Sequence, residues 1–95
     1  MREEKVKELI KEAVKKHLPT GCEVFIFGSR ATGKFLPWSD FDVGILGPKK
    51  IPSYLIVKIQ EELENSSIPY KIDVVDFKKV SSQFRNLALK EAIRL

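Results

Sequence analysis

The sequence predicts an α/β domain in which a small mixed β-sheet is backed by helices. Helical and strand-like hydrophobic patterns alternate along the 95 residues, in the order helix, strand, short helix, strand, helix, strand, helix. The composition is 43% hydrophobic and 32% charged, which suits a chain that buries a core without disulfide bonds. We therefore expect one domain over residues 1–95.

The first half of the chain predicts one long helix and two strands. Apolar side chains recur at helical spacing over residues 3–18, and Pro19 with Gly21 ends that helix. Residues 23–27 predict a strand, and the unbroken apolar run at residues 24–27 is typical of a central strand covered on both faces. A helical turn and a loop follow. Residues 40–45 then alternate between acidic or small residues and apolar ones, which predicts a strand with one apolar face.

The second half predicts a helix over residues 51–64, a strand over residues 70–77 and a final helix. Ser81 or Ser82 is suited to cap that final helix. Its predicted core stripe consists of Phe84, Leu87, Ala88 and Ala92. Leu89, Ile93 and Leu95 add more apolar surface than one face requires, so either an interface or packing of the chain end is open.

Charge and hydropathy narrow the function classes. The net charge of +4 favours an anionic ligand, although lysines and glutamates alternate along the first helix as on a water-facing surface. No apolar stretch is long enough to cross a bilayer or to act as a secretory signal, and the lone Cys22 has no intrachain disulfide partner. We expect a cytoplasmic protein that does not bind membranes.

Gly28 and Ser29 lie where a predicted buried strand turns into a helix. Free backbone N–H groups and the helix dipole favour a phosphate at such a point, while glycine permits close backbone approach. The serine hydroxyl can donate to a phosphate oxygen. A Gly-Ser turn alone is also common without any function.

Three aspartates carry the predicted chemistry. Asp40 and Asp42 are two residues apart on a predicted strand, so their like charges share one face and repel unless a cation such as Mg²⁺ neutralises them. Asp73 interrupts an apolar strand and should face solvent or a cleft. If the two strands are neighbours, three carboxylates converge and can hold two Mg²⁺ ions. A solvated strand end or turn is the alternative for Asp40 and Asp42, and Asp76 is expected to be a strand-end or turn residue.

The segment FGSRATGKFLPWSDFDV, residues 27–43, resembles the signature of the DNA polymerase β-like nucleotidyltransferase superfamily. The ten residues between Gly28-Ser29 and the Asp-x-Asp pair make it similar to the minimal nucleotidyltransferases of bacteria and archaea. The resemblance implies a polymerase β palm-like nucleotidyltransferase fold. It also implies that Asp40 and Asp42 are catalytic metal ligands and that Asp73 is the third ligand or a base.

The same resemblance implies how the nucleotide and the partners are bound. Gly28 and Ser29 would hold the triphosphate of ATP, with Arg30 and Ser39 as further nucleotide-binding residues. Arg30 fits a position on the helix surface equally well. Small members of the family commonly accompany a helical HEPN protein as a toxin-antitoxin pair, and the antitoxin transfers AMP from ATP to a tyrosine of the toxin.

Two other functions stay open at this point. The chain could be a non-catalytic antitoxin that neutralises a HEPN ribonuclease by binding alone. A nucleic-acid-binding domain ranks last, because the lysines are scattered rather than clustered with aromatic residues. Trp38 could stack on a base, but we favour an anchoring hydrophobic contact. His17 is expected to cap or pack the first helix rather than to bind a metal.

Overall fold

Four helices and four strands make up the protein in the computed structural model, which describes residues 1–95. In chain order they are α1 (Glu3–His17), β1 (Glu23–Phe27), α2 (Ser29–Thr32), β2 (Phe41–Leu46), α3 (Ser53–Glu64), β3 (Ile72–Asp76), α4 (Ser82–Glu91) and β4 (Ile93–Arg94). The predicted α/β fold class with a small mixed sheet is confirmed.

The sheet has the strand order β3-β2-β1-β4. Strand β1 is antiparallel to both of its neighbours, β2 and β4. Strands β2 and β3 are parallel, since the chain crosses back through α3 between them. The prediction that residues 23–27 form a central strand is confirmed, and β3 lies at one edge of the sheet.

The main core fills the space between the sheet and the helices α1 and α3. Ile10 of α1, Val43 of β2 and Ile59 of α3 have no solvent-exposed surface and belong to this cluster. Burying a side chain of this size stabilises the fold by about 1.5–3 kcal/mol relative to leaving it in water. The apolar faces of the two long helices thus hold them on one side of the sheet.

A smaller aromatic cluster covers part of the opposite face. The rings of Phe25 and Phe77 meet edge to face with centroids 4.7 Å apart, and Phe27 completes the cluster. Gly44 leaves room for them, because a Cβ at this position would lie 2.3 Å from Cε2 of Phe25. This face bears Asp42 and Asp73, and α4 packs against only part of it.

The predicted core stripe of the last helix is wrong in part. Phe84 and Leu87 remain 45% and 62% exposed, and α4 contains no buried residue. Ala88 and Leu89 of the helix, and Ala92 directly after it, pack against the aromatic cluster. The partly exposed ring of Phe84 also meets Phe27 and Phe77, with centroids 6.0 and 5.9 Å apart. Ser81 caps it as predicted, because its side chain accepts a hydrogen bond from the Phe84 N–H.

The chain end forms a strand that periodicity did not predict. Helix α4 ends at Glu91, and β4 pairs with the free edge of β1, which needs hydrogen-bonding partners there. Ile93 and Leu95 pack against the main core, so their apolar surface serves terminal packing. None of the four helices is long and apolar enough to cross a membrane.

Candidate active site

Two aspartates from neighbouring strands form the centre of the candidate site. Asp42 of β2 and Asp73 of β3 are register partners, so both project from the face of the sheet that faces away from α1 and α3. Both are half-buried and line one cavity of about 780 Å³. Gly28 and Gln60 also line this cavity.

The acidic groups influence one another. Burial raises the pKa of the Asp42 carboxyl above its ordinary value of 3.8, and the negative charges of Asp73 and Asp40 raise it further. Asp40 is exposed and lies immediately before β2. No group of three or more Asp, Glu, His or Cys side chains is already arranged as a metal centre. The structure therefore brings Asp42 and Asp73 together, with Asp40 near enough to add its charge.

The Gly-Ser turn lies directly against this acidic pair. Gly28 precedes α2 with φ 73° and ψ −151°, a conformation that favours glycine. A Cβ on Gly28 would lie 2.5 Å from Oδ2 of Asp42, so only glycine allows the backbone to approach this carboxylate. Ser29 is the first residue of α2 and is half-buried. The structure thus places the Gly-Ser turn next to Asp42.

Arg30 occupies a place different from the expected nucleotide contact. Its side chain is only 7% exposed. The guanidinium carbon lies 4.3 Å from the ring centroid of Phe41, 4.4 Å from that of Phe35 and 4.9 Å from that of Tyr70. Such contacts are favourable cation–π interactions. Arg30 does not line the cavity that contains Asp42, and it is not on the helix surface either.

The same guanidinium holds the loop that leads to Asp40. Its Nη2 donates to the carbonyl oxygens of Ser39 at 2.7 Å and Pro37 at 3.2 Å. The Ser39 hydroxyl accepts a hydrogen bond from the Leu36 N–H at 2.9 Å. Arg30 and Ser39 were both expected to bind nucleotide, but Nε and Nη2 of Arg30 and the hydroxyl oxygen of Ser39 make hydrogen bonds within the loop.

Several residues that line the cavity could not be identified as site residues from the sequence. Gln60 of α3 and Thr32 of α2 reach it, and Phe84, Leu87 and Ala88 of α4 form an apolar wall. The sequence predicted Phe84, Leu87 and Ala88 as part of a core stripe and not as the wall of a cavity. A lone glutamine in an amphipathic helix gives no indication of a site, because only the packing of α3 beside β3 brings it near the aspartates.

The other residues singled out in the sequence have structural places. Asp76 is buried and accepts hydrogen bonds from the backbone N–H groups of Ile51 and Lys78, which confirms its role at the strand end. His17 packs α1 onto α3 through a 2.9 Å hydrogen bond to Glu62. The anchoring contact expected for Trp38 is wrong, because its side chain is 72% exposed.

The chain matches a known family over nearly its whole length. The family described as "Polymerase beta, Nucleotidyltransferase" matches residues 5–95. The probable protein adenylyltransferase MntA of Haemophilus influenzae is 30% identical over 67 residues. That match covers 70% of this chain and 59% of the relative, so the chain spans less than two thirds of the relative's length.

Solved structures share the fold. A toxin-antitoxin complex with AMP-PNP superimposes with a TM-score of 0.78 at 18% identity, covering 93% of this chain and 70% of the other. The complex of a tri-AMPylated Shewanella oneidensis HEPN toxin with its MNT antitoxin gives a TM-score of 0.76 at 15% identity, covering 98% and 71%. At these identities, the similarity establishes the fold of the chain.

Proposed function

The chain belongs to the polymerase β nucleotidyltransferase family, and on that premise we propose that it transfers a nucleoside monophosphate, AMP from ATP, to a hydroxyl acceptor. One observation carries this proposal: Asp42 and Asp73 face each other across neighbouring strands beside the Gly28 turn. The relative that is named a protein adenylyltransferase supports the choice of AMP. We treat residues 1–95 as one catalytic domain acting in the cytoplasm.

The acidic residues fit Mg²⁺. Carboxylate oxygens are the ligands this ion prefers, and it usually shares its coordination with substrate phosphates rather than occupying an all-protein cage. The raised pKa of Asp42 reflects burial and like-charge repulsion that a divalent cation would relieve. Asp40, Asp42 and Asp73 would together hold two Mg²⁺ ions. When bound, Mg²⁺ supplies neutralisation of the triphosphate charge and activation of the attacking oxygen.

The residues of the chain then position the reactants. Gly28 and Ser29 let the backbone approach the triphosphate closely, next to the carboxylate of Asp42. Asp73 accepts the proton of the acceptor hydroxyl. The acceptor oxygen forms a bond to the α-phosphorus, the bond from that phosphorus to the α–β bridging oxygen breaks, and pyrophosphate leaves. Catalysis of this kind depends on orientation and charge rather than on a covalent intermediate.

The apolar wall of the cavity favours an aromatic acceptor. Phe27, Phe84 and Leu87 line the same cavity as Asp42 and Asp73. A tyrosine could pack its ring on this wall with its hydroxyl near the carboxylates. We therefore propose that the acceptor is a tyrosine of a HEPN toxin and that the protein acts as its antitoxin. The solved complex of an AMPylated HEPN toxin with an MNT antitoxin supports this choice.

A second candidate is an antitoxin that neutralises its HEPN partner by binding alone. The observation that favours it is a set of exposed apolar side chains: Leu36 and Trp38 in the loop that leads to Asp40, and Leu87 of α4 at the cavity. Such side chains could contact a partner protein whether or not AMP is transferred.

One experiment separates the two candidates. The protein is incubated with α-³²P-ATP, Mg²⁺ and a HEPN protein from the same genome, and label on the HEPN protein is measured. Asp40→Asn, Asp42→Asn and Asp73→Asn should each reduce labelling by roughly 100-fold or more, because each removes a charge at the reacting centre. Glu12→Gln, on the exposed surface of α1, is the matched control.

Tyr→Phe changes in the HEPN protein then locate the acceptor. An unlabelled HEPN protein that still forms the complex and is still inhibited would favour neutralisation by binding. Labelling that is unaffected by all three asparagine variants would contradict the proposed site.

A further inference from the structure

The outer edge of β3 is paired by a side chain instead of a strand. Strand β3 has β2 on one side only, so its outward-facing backbone groups lack a strand partner. The Ile72 carbonyl and the Val74 N–H, which flank Asp73, both point to Gln60 of α3. The Gln60 Oε1 accepts a hydrogen bond from the Val74 N–H at 2.9 Å, and its Nε2 donates to the Ile72 carbonyl.

Both the oxygen and the nitrogen of the Gln60 side-chain amide are complementary to this strand edge. One nitrogen donor goes to Ile72, and Nε2 also donates to Oε1 of Glu64 at 3.0 Å. A rotated amide would place oxygen against the Ile72 carbonyl and nitrogen against the Val74 N–H, which removes both strand contacts. A side-chain amide carries the same donor and acceptor as a peptide group. Gln60 therefore takes the place of one residue of a parallel strand.

We propose that Gln60 is a positioning residue that holds Asp73 opposite Asp42. The negative charges of these two aspartates repel each other, and this repulsion acts on an edge strand. The two hydrogen bonds from Gln60 fix the backbone on both sides of Asp73 and so resist a shift of that segment. Gln60 also lines the cavity that contains both aspartates. This inference rests on the proposed function, for which the Asp42–Asp73 pair is the reacting centre.

Two substitutions at Gln60 distinguish the effect of its hydrogen bonds to β3 from the effect of its side-chain packing. Gln60→Met keeps the length of the side chain and removes both strand contacts. Gln60→Glu keeps an acceptor for the Val74 N–H but loses the donor to Ile72. Gln83→Met is the matched control, because Gln83 is the other glutamine and is exposed on α4.

Three measurements are made on each variant: amide hydrogen exchange at Val74 by NMR, Mn²⁺ affinity in the presence of the non-hydrolysable ATP analogue AMP-PNP, and the kcat and KM of AMP transfer. We expect Gln60→Met to accelerate Val74 exchange on the order of tenfold, while Gln60→Glu retains protection. Gln60→Met should weaken Mn²⁺ binding and kcat by about tenfold, as for groups that orient metal-binding residues. The KM for ATP should stay within about twofold, and Gln83→Met should behave like wild type.

Unchanged Val74 exchange in Gln60→Met would overturn the inference. So would faster exchange with wild-type Mn²⁺ affinity and kcat, since Gln60 would then only cover a strand edge. If the wild type transfers no AMP, the proposed function fails, and the loss or retention of Mn²⁺ affinity decides the positioning role. A wild type that binds no Mn²⁺ even in the presence of AMP-PNP would overturn both.

Discussion

Asp42 and Asp73 are register partners on the parallel strands β2 and β3, so their carboxylates project from one face of the sheet a single strand spacing apart. That spacing is about 4.8 Å between backbones. Burial and the neighbouring charges of Asp73 and Asp40 raise the pKa of Asp42. The ionised Asp42 carboxylate therefore lowers the stability of the fold, and the same closely spaced charges favour the binding of a cation.

Asp42→Asn should make the protein more stable at pH 7 in EDTA. The unfolded chain titrates Asp42 near 3.8 and the folded chain at a higher pKa, so the folded state binds the proton more tightly. The stabilisation that the Asp42 carboxyl contributes is present below pH 3.8 and is lost as the pH rises through the pKa of this group in the folded state. The neutral asparagine avoids this loss. We expect a melting temperature a few degrees higher, since about 1 kcal/mol corresponds to roughly 4–8 °C in a domain of this size.

Circular dichroism melts of wild type and Asp42→Asn between pH 4 and 8 provide the measurement. The difference in Tm should shrink towards pH 4. Asp40→Asn, at an exposed position, serves as the control and should change Tm by less than about 2 °C. A lower Tm for Asp42→Asn at pH 7 would show that the carboxylate stabilises the fold.

Gly28→Ala should destabilise the fold more than Gly33→Ala. Both glycines have a positive φ, 73° and 78°, so both variants lose about 1 kcal/mol or more from backbone strain. Only at Gly28 does the added Cβ meet another group, Oδ2 of Asp42 at 2.5 Å, whereas nothing lies within 4 Å at Gly33. We expect a further loss of about 1–2 kcal/mol for Gly28→Ala in urea unfolding. Equal losses for the two variants would mean that Asp42 moves away freely.

Arg30→Lys should lower stability although it keeps the charge. A lysine cannot stack a planar group on Phe35, Phe41 and Tyr70, and it cannot donate to Pro37 and Ser39 in the same geometry. We expect a loss of about 1–2 kcal/mol in urea unfolding. Fluorescence of the single tryptophan, Trp38, should also change because it belongs to the loop that Arg30 holds.

Arg2→Lys is the matched control for this change, since Arg2 is exposed before α1. It should leave both stability and fluorescence unchanged. An Arg30→Lys protein as stable as wild type would contradict the role of the guanidinium in holding the loop.

Glu62→Gln should reduce stability at neutral pH only. The hydrogen bond from His17, with smaller contributions from Lys16, lowers the pKa of the Glu62 carboxyl below its ordinary 4.5. A lowered pKa stabilises the fold above pH 4.5, and this contribution is lost as the pH falls through the folded pKa. The Tm difference between wild type and Glu62→Gln should therefore be small at pH 7 and absent near pH 3.

Salt provides an independent check on the Glu62 interaction. Because the side chains of Lys16 and Glu62 are 67% and 33% exposed, solvent ions reach the pair, and 1 M NaCl should also reduce the difference in Tm. Glu61→Gln, an exposed change one residue earlier on α3, should show no such dependence on pH or salt. A difference that persists at pH 3 would exclude ionisation of Glu62 as its cause.

Local patterns were sufficient for most of the fold. Residues 23–27 were predicted as a strand with the observed bounds, since a run of apolar residues between breakers has few alternatives. Helix α3 starts at Ser53 rather than at residue 51, a small shift of the kind expected at helix ends. Strand β4 was missed because two residues are too few for periodicity, and its pairing partner lies about seventy residues earlier.

The sequence by itself determined the α/β fold class and identified Asp40 and Asp42 together with the Gly-Ser turn, because these follow from local spacing along the chain. The family resemblance rested on the same segment. Only the tertiary structure decided that Asp73 faces Asp42, that Arg30 is enclosed by aromatic rings, and that Gln60 pairs with the edge of β3. These relationships join residues distant in sequence, and they depend on strand order and helix packing, which hydrophobic periodicity does not specify.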